Sequence, residues 1–269
     1  MITLIPTPIG NIQDITLRAM RTFEQAELFL CEDTRETRKL LRLLQERYDL
    51  RMPAAEFVSF HEHNGAQRLA QMGEAIATRN VVYVSDAGMP AISDPGQALV
   101  AWAQENGVDY DVLPGASAVV TAYAASGFGG GDFRFFGFLP HKGRERQARL
   151  DAVLASPADA ILYEAPHRLE KLLDALAAAD PHRELFAAKE LTKRHQRYYR
   201  GTVASVREAI LSETIRGEWV LILRGQTSET KTLTLDQVLR LDLPPKPKAK
   251  LLALLSDRSV KEWYERIRS

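Results

Sequence analysis

The sequence predicts an α/β protein made of two α/β domains with a short C-terminal helical tail. Three observations carry that reading. Through the first half, short apolar and β-branched runs alternate with segments of helical periodicity, which implies a mainly parallel sheet with helices on both faces. After Pro114-Gly115 the alternation changes character and a second set of strand-like runs begins. Beyond Gly225 the composition turns Thr/Ser-rich, then Pro/Lys-rich, then leucine-rich. The expected boundaries are 1–115, 116–226 and 227–269, and a chain of 269 residues is long enough to bury a core in one large domain or two modest ones.

In chain order, Ile2 to Ile5, Leu28 to Cys31, Phe57 to Phe60, Val81 to Val84 and Tyr110 to Leu113 read as strands. Asp14 is placed to cap a helix carrying Leu17, Met20 and Phe23, and Thr34 to cap one carrying Leu40, Leu41, Leu43 and Leu44. A helix is expected from Ala116 to Ala125, then a turn at Gly129-Gly130-Gly131-Asp132. Phe133 to Phe138, Ala160 to Tyr163, Leu185 to Ala188 and Trp219 to Leu223 supply the second sheet. Pro244-Pro245-Lys246-Pro247-Lys248 reads as a linker to a short helix with Leu251, Leu252, Leu254 and Leu255.

Composition narrows the function classes. Hydrophobic residues make up 45% and charged ones 26%, the balance of an ordinary globular chain. No apolar run approaches the roughly 20 residues of a membrane span, and Met1-Ile2-Thr3-Leu4-Ile5-Pro6 lacks the features of an export signal, so no membrane association and a cytoplasmic location are expected. The single cysteine, Cys31, sits in an apolar run and reads as a buried thiol. Net charge is zero, which argues against a protein that coats nucleic acid but permits a local basic face.

The loops at strand ends are the places where an open α/β sheet holds a ligand. Ser85 to Gly96, directly after Val81-Val82-Tyr83-Val84, combines Gly88 and Gly96 with Pro90, Pro95 and the carboxylates of Asp86 and Asp94. Thr7-Pro8-Ile9-Gly10-Asn11 has neither a dinucleotide fingerprint nor a phosphate loop, so hydride transfer and nucleotide hydrolysis lose support. Glu32-Asp33-Thr34-Arg35 offers paired carboxylates, although residues of these types also serve as plain helix caps. His61-Glu62-His63-Asn64 lacks the spacing of a zinc site and suits polar contacts to a substrate better than a metal. Pro114-Gly115-Ala116-Ser117-Ala118 leaves room for a flat ring. Charged loops at Glu164 to Arg168, Lys189 to Lys193 and Gly217-Glu218-Trp219 are costly to bury unpaired, and a cleft shared by the two domains explains them together.

Taken in order, Thr7-Pro8-Ile9-Gly10-Asn11, Glu32-Asp33-Thr34-Arg35, His61-Glu62-His63-Asn64, Ser85-Asp86-Ala87-Gly88, Pro114 to Ala118, Gly137-Phe138-Leu139-Pro140, Glu164-Ala165-Pro166-His167-Arg168 and Glu190-Leu191-Thr192-Lys193 resemble the small-subunit ribosomal RNA methyltransferase I family, a branch of the tetrapyrrole methylase superfamily. The resemblance spans about residues 2 to 226. It implies two α/β domains of the tetrapyrrole methylase type, S-adenosylmethionine between them, and methyl transfer to the ribose 2′-hydroxyl of a cytidine. It also implies that Pro8, Ile9, Gly10, Ser85, Asp86, Ala87, Gly88, Ser117, Ala118, Glu164, Ala165 and Pro166 surround the donor. The chain departs from the family pattern at Met89, Lys189 and Gln196, where threonine, arginine and glutamate are usual, and its tail is short.

A ribose hydroxyl is a poor nucleophile that needs a base or a cation to stabilise the developing alkoxide, and Asp33, Glu32, His61 and Lys189 are the candidates. RNA requires a positive surface. Residues 141 to 149 supply Lys142, Arg144, Arg146 and Arg149, residues 189 to 200 supply Lys189, Lys193, Arg194, Arg197 and Arg200, and Lys246, Lys248 and Lys250 extend the tail. Arg35, His63, Asn64, Lys142, Arg144, Lys193 and Arg194 are the expected substrate contacts, with small-subunit ribosomal RNA or the subunit itself as partner. A homodimer is expected by analogy with superfamily relatives. The rival readings are a tetrapyrrole methylase and a ribosome-binding paralogue without turnover.

Overall fold

The computed structural model describes residues 1–130, 132–226 and 234–268. Gly131 of the expected turn and residues 227–233 of the Thr/Ser-rich stretch lie outside the described residues. Residues Met1–Gln226 form one compact unit, and a second unit falls within Thr227–Ser269.

The first unit opens with β1 (Ile2–Leu4), α1 (Leu17–Gln25), β2 (Leu28–Cys31), α2 (Thr34–Tyr48), β3 (Glu56–Ser59), α3 (Gly65–Thr78), β4 (Val81–Val84), α4 (Gly96–Glu105) and β5 (Tyr110–Val112). The strands form one sheet in the order β3-β2-β4-β1-β5, every neighbouring pair parallel. Strands buried on both faces need apolar side chains at successive positions, and β2 and β4 have them throughout. Alternate residues feed opposite cores: Leu28, Leu30, Val81 and Tyr83 on one face, Phe29, Cys31, Val82 and Val84 on the other. Burial pushes the Cys31 thiol up to about 11, as suits an inert structural cysteine.

Then follow α5 (Ala118–Ser126), β6 (Phe133–Phe138), α6 (Gly143–Leu154), β7 (Asp159–Glu164), α7 (Pro166–Ala179), β8 (Glu184–Lys189), β9 (Arg197–Thr202), α8 (Val203–Leu211) and β10 (Trp219–Leu223). They build a mixed sheet in the order β6-β7-β10-β8-β9, in which only β6 and β7 run parallel. One face packs on α6, α7 and α8; the other meets α5 together with Ile9 and Leu191, so the loop after β1 shares a core with the second sheet. The boundary expected at 115/116 thus falls between two sheets that belong to one compact unit.

Local differences from the sequence reading have simple causes. The cap of α1 is Thr16, whose hydroxyl accepts from the Ala19 N–H; Asp14 ends a 3-10 turn just before it. For α2 the cap is Asp33, and Thr34 is the first helical residue. β9 is not among the expected strands: its residues are exposed or half-buried, Arg197 and Arg200 flank Tyr198 and Tyr199, and the apolar alternation that marks a strand is missing.

The second unit contains α9 (Leu235–Arg240), α10 (Pro245–Leu254) and α11 (Val260–Arg268) around a small core of Val238, Ala249, Leu252 and Trp263. The expected proline-lysine linker is the first turn of α10. Proline is tolerated there because the first-turn N–H groups have no intrahelical acceptor.

Candidate functional site

The loops after β1 and β4 are clamped to each other. Thr7 N–H donates to the Gly88 carbonyl at 3.0 Å, and Gly88 N–H returns the bond to Thr7 at 2.9 Å. Gly88 holds φ at +82°, and a Cβ there would lie 3.2 Å from Ile9 Cγ2, so glycine serves both the conformation and the approach. Downstream, Asp94 Oδ1 accepts from the Tyr83 hydroxyl at 2.7 Å and from the Ala91 and Gly96 N–H groups, both at 2.9 Å. The loop is therefore wound around one carboxylate oxygen. Burial, with Asp94 beside it, drives the Tyr83 phenol far up, keeping it a donor.

A second relay joins the ends of β2 and β4: Glu32 Oε2 accepts from Asp86 N–H at 3.2 Å, and Asp86 Oδ1 accepts from Asp33 N–H at 3.1 Å. Burial raises the carboxyls of both Glu32 and Asp86. Asp33 behaves oppositely. Its carboxylate accepts from the Arg35 backbone at 2.8 Å and from the Arg35 guanidinium at 2.6 Å, which holds it at about 2. His61 is fixed by Asn64, whose Oδ1 accepts from the His61 backbone at 2.8 Å and whose Nδ2 lies 3.2 Å from His61 Nε2. His61 Nδ1 is buried without a hydrogen-bond partner among the described residues. His63 is exposed, its ring centroid 5.9 Å from that of His61.

Opposite stand the ends of β6, β7 and β10. Glu164 is fully buried; Arg168 Nε lies 3.0 Å from its Oε1 and Arg146 Nη1 3.8 Å from its Oε2. Both arginines also donate to the Pro140 carbonyl, at 3.5 and 3.3 Å. Lys189 Nζ sits 5.5 Å from the Trp219 ring centroid. Lys193 Nζ bridges Glu190 at 3.0 Å and Glu218 at 2.9 Å, and Gly10 packs so tightly on this loop that a Cβ would come within 2.3 Å of Lys193 Cγ.

Between these loops lies a cleft of about 360 Å³. Of the residues expected around a donor, Ile9, Ser85, Asp86, Ala87, Gly88, Ser117, Ala118, Glu164, Ala165 and Pro166 line it, while Pro8 and Gly10 flank Ile9. Glu32 lines it too; Asp33, His61 and Lys189 do not. Asp94, Phe138, Tyr163, Glu218 and Trp219 are among the other residues of the walls. Phe138 is expected as a strand end and as part of the Gly137-Phe138-Leu139-Pro140 motif, Tyr163 as a strand residue alone; nothing in a strand pattern tells which end opens on a cleft.

The basic clusters do not stay intact. Arg146 is buried against Glu164, Arg149 lies over the Phe136 ring at 5.0 Å, Arg197 pairs with Glu213, and Arg200 lies over Phe128 at 5.6 Å. Lys142, Arg144 and Arg194 remain exposed, Arg35 is exposed but paired with Asp33, and Lys193 is held by its two glutamates. Among the described residues no group of three His, Cys, Asp or Glu is arranged to hold a metal.

The family described as tetrapyrrole (corrin/porphyrin) methylases matches residues 1–207. A "ribosomal RNA small subunit methyltransferase I" of Helicobacter pylori is 43% identical, with 98% of this chain and 96% of the relative covered. The chain belongs to that methyltransferase family. A Campylobacter fetus member is 37% identical over 99% of both chains, and a Bacillus subtilis member 39% identical over 84% of this chain and 75% of its own. Members of the wider fold diverge much further. Uroporphyrin-III C-methyltransferase of Thermus thermophilus, solved with S-adenosylhomocysteine, shares 16% identity at a TM-score of 0.56, covering 83% of this chain and 96% of that one. Diphthine synthase shares 12% at a TM-score of 0.62, covering 99% of each. These two likenesses establish the fold: a parallel sheet followed by a mixed one.

Proposed function

We propose that this methyltransferase binds S-adenosylmethionine in the cleft and methylates the ribose 2′-hydroxyl of a cytidine in small-subunit ribosomal RNA. The observation that carries the donor assignment is the cleft's acidic wall. Among the described residues, no lysine or arginine forms an ion pair with Glu32, Asp86 or Asp94. Carboxylates in that state favour a ligand that carries positive charge, as the donor does on its sulfonium and ammonium groups. Small residues at Ala87, Gly88, Ser117 and Ala118 leave space for an adenosine ring system, and the Ser85 hydroxyl and Glu164 Oε2 are buried without a hydrogen-bond partner among the described residues. The residues present therefore fit the group.

When bound, the donor supplies a methyl already activated by the sulfonium. The chain's residues do the rest. Asp86 and Asp94 set the negative field that orients the donor. Glu32, its carboxyl raised by burial, is the better base for the ribose hydroxyl proton; Asp33, held at about 2, is a weak base and acts as the cap of α2. Lys189, held by Trp219 at the opposite wall, supplies the positive charge that an alkoxide requires. Lys142, Arg144 and Arg194 are exposed and free to meet phosphates, and His63 in the loop after β3 is exposed as well. The same reading extends to a homodimer working in the cytoplasm, where subunits assemble; sedimentation velocity of the purified chain tests the dimer.

Mapping 2′-O-methylation along small-subunit RNA from cells with and without the gene tests the function. One methylcytidine disappears with the gene, returns with the wild type and stays absent with Glu32→Ala. An unchanged map overturns the proposal, and transfer from labelled donor to a porphyrinogen would favour the tetrapyrrole reading.

A further inference from the structure

Phe138 is the most conspicuous residue that the proposed chemistry leaves unused. It ends β6 at the cleft, and it is 56% exposed although it is aromatic and its neighbour Leu139 is buried. Tyr163 meets it edge-on at 5.5 Å between ring centroids, which fixes one side of the ring and leaves the rest to solvent.

The surroundings show that this exposure is built. The β6–β7 register shifts between Phe135 and Gly137, and Gly137 holds φ at +67° with open space around its absent Cβ, so the backbone bends there to re-aim the next side chain. Immediately beyond, the carbonyls of Leu139 and Pro140 accept from Arg168, and that of Pro140 also from Arg146. Both arginines are anchored by the fully buried Glu164. The segment after the ring is thus pinned from below, and Lys142 and Arg144 emerge from it exposed.

We propose that Phe138 is a substrate-binding residue on which the unpaired base of the RNA target stacks, Glu164 with Arg146 and Arg168 acting as the positioning set that holds the platform. The inference rests on the RNA-methyltransferase reading above and adds the residue that receives the base. An aromatic face beside exposed cations is the recurring arrangement for single-stranded nucleic acid, since every base has a π-face and every phosphate a charge. The alternative occupant of an exposed aromatic, a protein surface, does not call for a position on the wall of the donor cleft. Stacking also places the attached ribose over the cleft, opposite Glu32 and Asp86.

The test measures methyl transfer to small ribosomal subunits from cells lacking the gene, alongside calorimetric binding of S-adenosylhomocysteine. Phe138→Ala lowers kcat/KM for the subunits about tenfold and leaves the S-adenosylhomocysteine Kd within about twofold. Phe138→Trp restores transfer, whereas Phe138→Leu, which keeps apolar bulk without a π-face, does not. Wild-type kcat/KM in Phe138→Ala, or full activity in Phe138→Leu, overturns the proposal, as does an equal loss of S-adenosylhomocysteine affinity, which would make Phe138 part of the donor wall. A wild-type enzyme that transfers nothing to RNA removes the functional reading and this proposal together; an active wild type with an unaffected Phe138→Ala removes this proposal alone.

Discussion

The two walls of the cleft treat carboxylates in opposite ways. On the parallel-sheet side Glu32, Asp86 and Asp94 are held by backbone N–H groups and a phenol, with no ion-pairing cation among the described residues. On the mixed-sheet side Glu164 has Arg146 and Arg168, while Glu190 and Glu218 share Lys193. One wall keeps its negative charge available and the other neutralises it internally. The first is therefore suited to bind a cation, and the second to fix loops and present aromatic rings. Mutation should separate the two: on the paired wall, removing a carboxylate costs stability; on the unpaired wall it costs ligand affinity.

The largest expected effect is at Glu164. Glu164→Gln leaves two nearly buried guanidiniums facing a neutral amide, and breaking a buried ion cluster costs about 3–5 kcal/mol. Urea denaturation checks this; a loss below about 1 kcal/mol would show that the arginines find other partners. Next is Tyr83→Phe, which removes one of three donors to Asp94 from a buried position and costs about 1.5–3 kcal/mol, as hydrogen bonds to charged acceptors do. The Ser85–Pro95 loop then loosens, so protection of its amides from hydrogen exchange should fall more than elsewhere.

Glu32→Gln has the opposite signature. Burial raises the Glu32 carboxyl in the folded chain, so ionising it opposes folding: its contribution to stability is fully present below the unfolded value of about 4.3 and is lost as pH rises through the raised one. The ligand-free variant is accordingly no less stable than the wild type at neutral pH. Affinity for a cationic donor runs the other way, strengthening as pH rises through the same raised value. Glu32→Gln should weaken S-adenosylmethionine binding at pH 7 about tenfold and flatten that rise, as titration calorimetry across pH 4.5–7.5 would show. A variant that lost stability and kept affinity would erase the distinction between the walls.

What the sequence could disclose follows from the same contrast. Strands buried on both faces, such as Leu28–Cys31 and Val81–Val84, announce themselves because every position is apolar, and loops that close on backbone are marked by Gly88 and Gly10. The acidic wall was legible because Glu32 and Asp86 stand at the ends of those strands and Asp94 in the glycine- and proline-marked loop that follows. Pairing was not. Arg146 sits in the same charged run as Lys142 and Arg144, yet helix α6 turns it inward to Glu164, and residue type carries no record of the partner. For the same reason β9 passed unnoticed, since an edge strand with exposed arginines has no apolar alternation to betray it. Phe138 stands in a strand run and in the Gly137-Phe138-Leu139-Pro140 motif, yet only the bulge before it decides which way it points.

The smallest expected effect tests pairing at single-residue resolution, on two neighbouring cations. Lys193 is committed to Glu190 and Glu218, whereas Arg194 is exposed and forms no ion pair among the described residues. Each phosphate contact made by a free cation contributes about 0.7–0.9 to the slope of log affinity against log salt, because it releases condensed counterions. Arg194→Ala should therefore reduce the salt slope of subunit binding by about that amount while leaving the urea midpoint unchanged. Lys193→Ala should leave the salt slope alone and lower the midpoint, because Glu190 and Glu218 then face each other without their cation and the loop that packs on Gly10 loses its tie. Equal salt slopes in the two variants would mean that RNA draws Lys193 out of its ion pairs, and that neutralisation on this wall yields to substrate.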